Sequence, residues 1–262
     1  MISSSQEIKA IICGCIHRET IINLVNQVFL DQLGGSLAYA AAGFHLWTEN
    51  PGLVARISKD TPLELISQFE QRGMNSGGVH KNDFNHEMRA FYKVLDQDQL
   101  DTENPIKYFS LLNKPIPKQL LGYVTLPFIV EKRNTISPVT LLPEHIPVSF
   151  LNSPSALLCS VDFVSLSVLL PFLRMNGIKT LLIKPSKGTM VSTFWRDIPT
   201  LIRGCTGLIC SRKEAKNLFL GKSENLHEIA ETLANFGLEF VVITCGKEGQ
   251  HLFVRSTHTH WE

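Results

Sequence analysis

The chain has 262 residues, 44% of them hydrophobic, enough for the core of one large α/β domain or two small ones. Its 25 Lys and Arg balance 24 Asp and Glu, so no net field draws it to nucleic acid or an anionic membrane, and a small-molecule ligand is the default. Six cysteines, mostly inside apolar runs and never spaced Cys-x-x-Cys, argue against a disulfide scaffold or a zinc site and read as buried thiols in a reducing cytoplasm.

Residues 8–13 form an isoleucine-rich run ending at Gly14, the pattern of a buried parallel strand entering a loop. Gly14, His17, Arg18 and Glu19 interrupt that run, so no signal peptide is expected. After the Gly34-Gly35 turn, small and aromatic residues over 38–47 predict a tightly packed helix, and 53–57 the next strand. Thr61-Pro62-Leu63-Glu64 reads as a capping box with proline at the first helical position, and Leu65, Ile66 and Phe69 form the apolar face of a helix that stops before Gly73. Residues 79–146 have scattered prolines and few clean periods, so the charged and aromatic stretch 91–123 is expected to form a lid or insertion beside the sheet.

The longest apolar stretch, 156–173, contains Asp162 and Pro171 and reads as a buried helix rather than a membrane span. A helix over 163–175 closes at Asn176-Gly177, and strands at 180–183, 207–210 and 239–244 follow with helices between them. This alternation predicts right-handed crossovers and a doubly wound α/β fold with a mostly parallel sheet. A single domain over 1–262 is expected, with lid or insertion segments near 17–36 and 80–146.

In open parallel sheets ligands bind in the loops after the strands. The first loop runs Gly14-Cys15-Ile16-His17-Arg18-Glu19, and the Glu19 carboxylate could accept two hydroxyls of a diol. Leu33-Gly34-Gly35-Ser36 would let backbone amides approach a ligand, and Tyr39 could stack on a ring or fill the site. Lys184 in Lys184-Pro185-Ser186 could meet a phosphate. Ser211-Arg212-Lys213-Glu214 reads as a capping box, with Ser211 as N-cap and Glu214 at the third helical position. In Thr244-Cys245-Gly246-Lys247-Glu248-Gly249, Thr244 and the amides near Gly246 and Gly249 could reach a phosphate, or the segment is a plain hairpin turn.

In this order the motifs resemble the PfkB/ribokinase family of carbohydrate and nucleoside kinases, over nearly the whole chain from about Ile8 onward. The resemblance implies a ribokinase-like α/β fold with a small lid, a sugar or nucleoside as ligand, a homodimer through the lid, and ATP-dependent phosphoryl transfer to a hydroxyl with Mg2+. It assigns Glu19 the place of an aspartate that holds substrate hydroxyls, Gly34 and Gly35 that of the substrate-side diglycine, and Tyr39 that of an asparagine. Lys184 stands where an aspartate near the magnesium-phosphate region is common. Ser211 and Glu214 match an Asn-x-x-Glu motif whose glutamate holds magnesium through water, and Thr244, Gly246 and Gly249 match a nucleotide-side Thr-x-Gly-x-x-Gly.

The family's catalytic base lies in a Gly-Ala-Gly-Asp motif at a helix N-terminus, and no Gly-Asp dipeptide occurs in these residues. The C-terminal catalytic segment is therefore expected to be absent and transfer impaired. The alternative is a catalytically silent ligand-binding or partner-binding protein on the same fold. His251, His258 and His260 read as an edge strand or frayed end rather than a metal site, and the first strand lacks the Gly-x-Gly-x-x-Gly of a dinucleotide enzyme.

Overall fold

A computed structural model describes residues 7–96, 99–125 and 128–261. The main sheet contains β1 (Ile11–Gly14), β4 (Gly52–Ile57), β5 (Asn75–Lys81), β8 (Ser155–Cys159), β9 (Thr180–Lys184), β10 (Gly207–Ser211), β11 (Phe240–Thr244), β12 (Gln250–Val254) and β13 (Thr259–Trp261). Its order is β13-β12-β11-β10-β9-β8-β1-β4-β5; the seven strands from β11 to β5 run parallel, and β12 and β13 close the edge as an antiparallel hairpin. The chain winds outward from β1 through β4 and β5, then returns to the other flank of β1 and winds away through β8 to β11. The winding direction therefore reverses between β1 and β8, which is where a doubly wound sheet opens a ligand crevice.

Alternation along the strands feeds two cores. Ile11, Cys13 and Val54 join one apolar cluster, with Leu166, Leu169 and Leu173 of α4 (Phe163–Met175) and Ile229 and Leu233 of α7 (Leu226–Asn235). Ile12, Leu53 and Ala55 face the other way, against Leu37 and Ala41 of α1 (Gly35–His45) and Leu65, Ile66 and Phe69 of α2 (Leu63–Glu70). Strands whose successive residues are buried on both faces read as continuous apolar runs, as these do. Each fully buried Leu or Ile contributes about 1.5–3 kcal/mol relative to exposure.

A second sheet, ordered β3-β2-β6-β7, is made of β2 (His17–Ile22), β3 (Val28–Gly34), β6 (Arg89–Asp96) and β7 (Gln99–Asp101). It has its own small core, in which Ile22 and Phe91 pack on Tyr108 and Phe109 of α3 (Pro105–Leu111). Short α5 (Ile198–Ile202) and α6 (Arg212–Leu218) complete the helices. No helix among the described residues is long and apolar enough to cross a membrane.

Two sequence expectations need correction. The apolar stretch 156–173 is not one helix: β8 ends at Cys159, Ser160 turns the chain at φ 56°, and Asp162 caps α4. Thr61 forms no capping box, because its hydroxyl donates to Met88 Sδ at 3.0 Å and Pro62 stands at the N-cap of α2. Residues 79–146, where the sequence shows few clean periods, hold β6, β7 and α3, and Gly77 and Gly78 weaken the strand signature of β5 just before them.

Asp162 holds more than its own helix. Its Oδ1 accepts from Ser165 N and Ser165 Oγ, both at 2.7 Å, and its Oδ2 accepts from Ser137 Oγ at 3.0 Å and Thr140 Oγ1 at 2.5 Å. Asp162→Ala is expected to lower stability by about 1–3 kcal/mol in urea unfolding, with an unchanged far-ultraviolet spectrum, since it removes a cap and leaves hydroxyls unpaired.

Candidate functional site

The ends of β1 and β8 meet the start of α1, and one hydroxyl joins them: Ser36 Oγ accepts from Cys15 N at 3.0 Å and donates to Cys159 O at 2.8 Å. Gly35 sits at φ +89°, where a side chain would be strained, and a Cβ there would lie 2.4 Å from Cys15 O. Burial pushes the thiols of Cys13 and Cys15 up to about 12, so this crevice floor carries no thiolate at neutral pH.

Glu19 lies on β2 of the small sheet, not in a solvated loop, and is only 1% exposed. Its Oε1 accepts from Gly35 N at 2.8 Å, and its Oε2 accepts from Tyr39 Oη at 2.5 Å. Both oxygens that the sequence assigned to substrate hydroxyls thus hold groups of α1. A Cβ on Gly34 would fall 2.0 Å from Glu19 Cδ, so the diglycine makes room for this carboxylate as well as for the turn. Tyr39 is 61% exposed as a residue, but desolvation of its hydroxyl and the bond to Glu19 raise its pKa. Sequence reasoning took Glu19 and Tyr39 as two separate departures from the family pattern; they are one hydrogen-bonded pair.

At the other side of the switch point, β9 ends in Lys184 and β10 leads into α6. Ser211 and Glu214 form the capping box: Glu214 N donates to Ser211 Oγ at 3.2 Å, and Ser211 N donates to Glu214 Oε2 at 2.7 Å. Lys184 Nζ donates to Glu214 Oε1 at 3.2 Å and to Ser160 Oγ at 3.3 Å. Glu214 is 4% exposed and already balanced by a cation. The arrangement does not fit a magnesium site: one carboxylate oxygen is held by its own cap and the other by an ammonium group that repels a second cation. No cluster of three His, Cys, Asp or Glu able to hold a metal occurs among the described residues.

The Thr244–Gly249 segment is a hairpin turn between β11 and β12, with Gly246–Glu248 in a 3-10 turn. Thr244 pairs in register with Ser211, its hydroxyl reaches Cys210 O at 3.4 Å, and Arg212 is bonded to Glu248 at 2.6 Å across the two loops. Ser211, Lys213, Thr244 and Gly246 share a surface groove of about 570 Å³. Gly249 lies at the far end of the turn at φ +87°. Of the residues expected on the nucleotide side, Ser211, Thr244 and Gly246 share this groove while Lys184 and Gly249 do not line it, and Glu19, Gly34, Gly35 and Tyr39 form a separate group at the β1–α1 junction.

A larger cavity of about 1360 Å³ adjoins the groove. Ile106, Leu121, Val124 and Phe128 line one wall, and Lys187, Ser211, Lys213 and Glu214 line the other. Sequence reasoning missed Lys187 and Lys213, which belong to no motif in these roles. It also missed Glu131, whose Oε2 accepts from Phe163 N at 2.6 Å and from Thr189 Oγ1 at 2.8 Å while Ser186 donates to Oε1. Glu131 thereby ties the segment after Phe128 to the start of α4, and nothing in its sequence neighbourhood signals this. On the edge hairpin, His251 and His260 lie against His227 of α7, with ring centroids 5.2 and 4.6 Å from its ring.

No family model and no curated sequence gives a significant match to the chain. Solved structures do match along most of its length. A PfkB protein from Polaromonas sp. JS666 superposes with a TM-score of 0.63 at 13% identity, over 95% of this chain and 80% of that one. Ribokinase from Giardia lamblia gives 0.64 at 11% identity, over 98% and 74%. This chain has the ribokinase-like fold. An Escherichia coli protein assigned as ribokinase II, solved with ATP and Mg2+, gives 0.63 at 13% identity, over 97% and 78%. At these identities the likeness establishes the ribokinase-like architecture and leaves chemistry to the residues.

The contact between Gly34 and Glu19 can be measured directly. Gly34→Ala is expected to cost about 1–3 kcal/mol in chemical unfolding, because Glu19 is pinned at both oxygens and has nowhere to move. In a Glu19→Ala background the same substitution is expected to cost close to nothing, so a double-mutant cycle isolates the clash.

Proposed function

We propose that this ribokinase-like chain is a phosphotransferase of the sugar and nucleoside kinase kind, with ATP as donor and a hydroxyl of a small carbohydrate or nucleoside as acceptor. The observation that carries this is the convergence of Ser211, Lys213, Thr244 and Gly246 on one groove, next to Lys184 and Glu214 at the strand ends. Phosphoryl transfer depends mostly on positioning and on charge stabilisation, and a cationic groove beside a sheet crevice supplies both in part. The acceptor would lie near Gly35 and Tyr39, where the small sheet meets α1. The structures solved with ATP and Mg2+, or with aminoimidazole riboside and an ATP analogue, support this direction for the fold.

No residue here matches the Gly-Ala-Gly-Asp base and anion hole, so transfer by these 262 residues is proposed to be impaired. One observation favours the second reading, a silent ligand-binding protein: Glu19, which would hold acceptor hydroxyls, is spent on Gly35 and Tyr39. The deciding experiment combines ATP binding with ADP formation over a panel of sugars and nucleosides. Saturable ATP binding with turnover far below the roughly 1–100 s⁻¹ usual for kinases is expected. Turnover within that range would show that another group acts as base and would eliminate the silent reading. Absence of ATP binding would remove the kinase reading.

A further inference from the structure

The misfit between Glu214 and a divalent cation has a positive side. Lys184 occupies the carboxylate face where the family resemblance places magnesium, and it is fixed there rather than free to swing away. Its Nζ is bonded to both Glu214 and Ser160, and its backbone carbonyl accepts from Ser160 N at 2.6 Å. The large cavity lined by Glu214 also carries Lys187 and Lys213, neither of which forms an ion pair among the described residues. The acidic groups facing that cavity are Glu214, already neutralised by Lys184, and Glu103 on the opposite wall.

A cavity with that charge pattern attracts a polyanion directly. Magnesium serves phosphate sites mainly by cancelling charge between phosphate and carboxylate, and retains most of its water while doing so. Here the carboxylate that lines the cavity, Glu214, is already paired with the Lys184 ammonium group, and two more ammonium groups, those of Lys187 and Lys213, line the same cavity. Lysine is a point-charge phosphate ligand that needs no metal intermediary. We propose that this chain binds the diphosphate group of its donor without a divalent metal, with Lys184 in the metal's place and Lys187 and Lys213 contacting the phosphate oxygens. This rests on the donor-site reading above, and it separates phosphate binding from magnesium.

Calorimetric titration of the whole chain with ATP and, separately, with inorganic pyrophosphate tests this, each in EDTA and in excess Mg2+. Binding in EDTA is expected to be at least as tight as in Mg2+. Equal affinity for the two ligands would assign recognition to the phosphates alone, and tighter ATP binding would add a contribution from the base; both outcomes support metal-free binding. Lys184→Met, which uncovers Glu214, is expected to become magnesium-dependent, binding about tenfold or more tighter with the metal than without it. Lys187→Met/Lys213→Met changes only exposed side chains, keeps the fold, and is expected to weaken binding about tenfold in EDTA and in Mg2+ alike. Unchanged binding of that double variant in EDTA, or wild-type binding tenfold tighter with Mg2+, would overturn this inference and leave the donor site standing. Failure of both ligands to bind under any condition would overturn the donor-site reading as well.

Discussion

A buried carboxylate governs how the two sheets of this protein meet. Glu19 reaches from the small sheet into the start of α1, where water cannot solvate it, and an unpartnered charge there would cost several kcal/mol. It is held by the Gly35 amide, by the Tyr39 hydroxyl and by the positive end of an eleven-residue helix. Three positions follow from that one group. Position 34 has no room for a side chain, position 35 must turn its amide inward at positive φ, and position 39 must offer a hydroxyl one turn along the helix. The small sheet is therefore bonded to α1, which packs on the main sheet, through the carboxylate that the resemblance gave to a ligand.

The second charged pair, Lys184 with Glu214, follows the same logic on the other side of the crevice. Each pair fills a place that the resemblance gave to a ligand, Glu19 and Tyr39 for acceptor hydroxyls and Lys184 for a metal ion. Protein groups supply the partners internally in both cases, so the crevice is organised before anything binds. Such preorganisation lowers the cost of ordering a site and narrows what it can accept. The walls reflect this, with apolar side chains on the lid side of the large cavity and lysines on the core side.

Much of this architecture was legible in the residues because burial writes a strong pattern. The runs leading to Gly14, Lys184, Ser211 and Thr244 are rich in apolar residues, fully buried in β1 and alternating between buried and half-buried positions in β9 and β11, and α4 showed its stop. The loops that the resemblance assigns to the nucleotide were legible for the same reason, since each follows one of those strands. Side-chain pairing across the chain was not legible. Nothing near Glu19 says that its partners lie at positions 35 and 39, and nothing near Lys184 says that Glu214 lies thirty positions on. Ser211-x-x-Glu214 showed the limit of local motifs: the capping box read from sequence is present, yet the carboxylate's fate is decided by a lysine from another strand.

The interior position of β1, between strands from distant parts of the chain, bears on how the polypeptide is made. Ile11 pairs with Gly52 on one flank but with Ala156 on the other, so this interior strand must keep one edge open until more than half of the chain has been synthesised. At usual translation rates, 5–20 residues per second, that interval lasts roughly 7 to 30 s. Throughout it, an isoleucine-rich strand with unpaired amides and carbonyls is available to other nascent chains. The same order of strands thus leaves β1 an unpaired edge in a ribosome-bound intermediate.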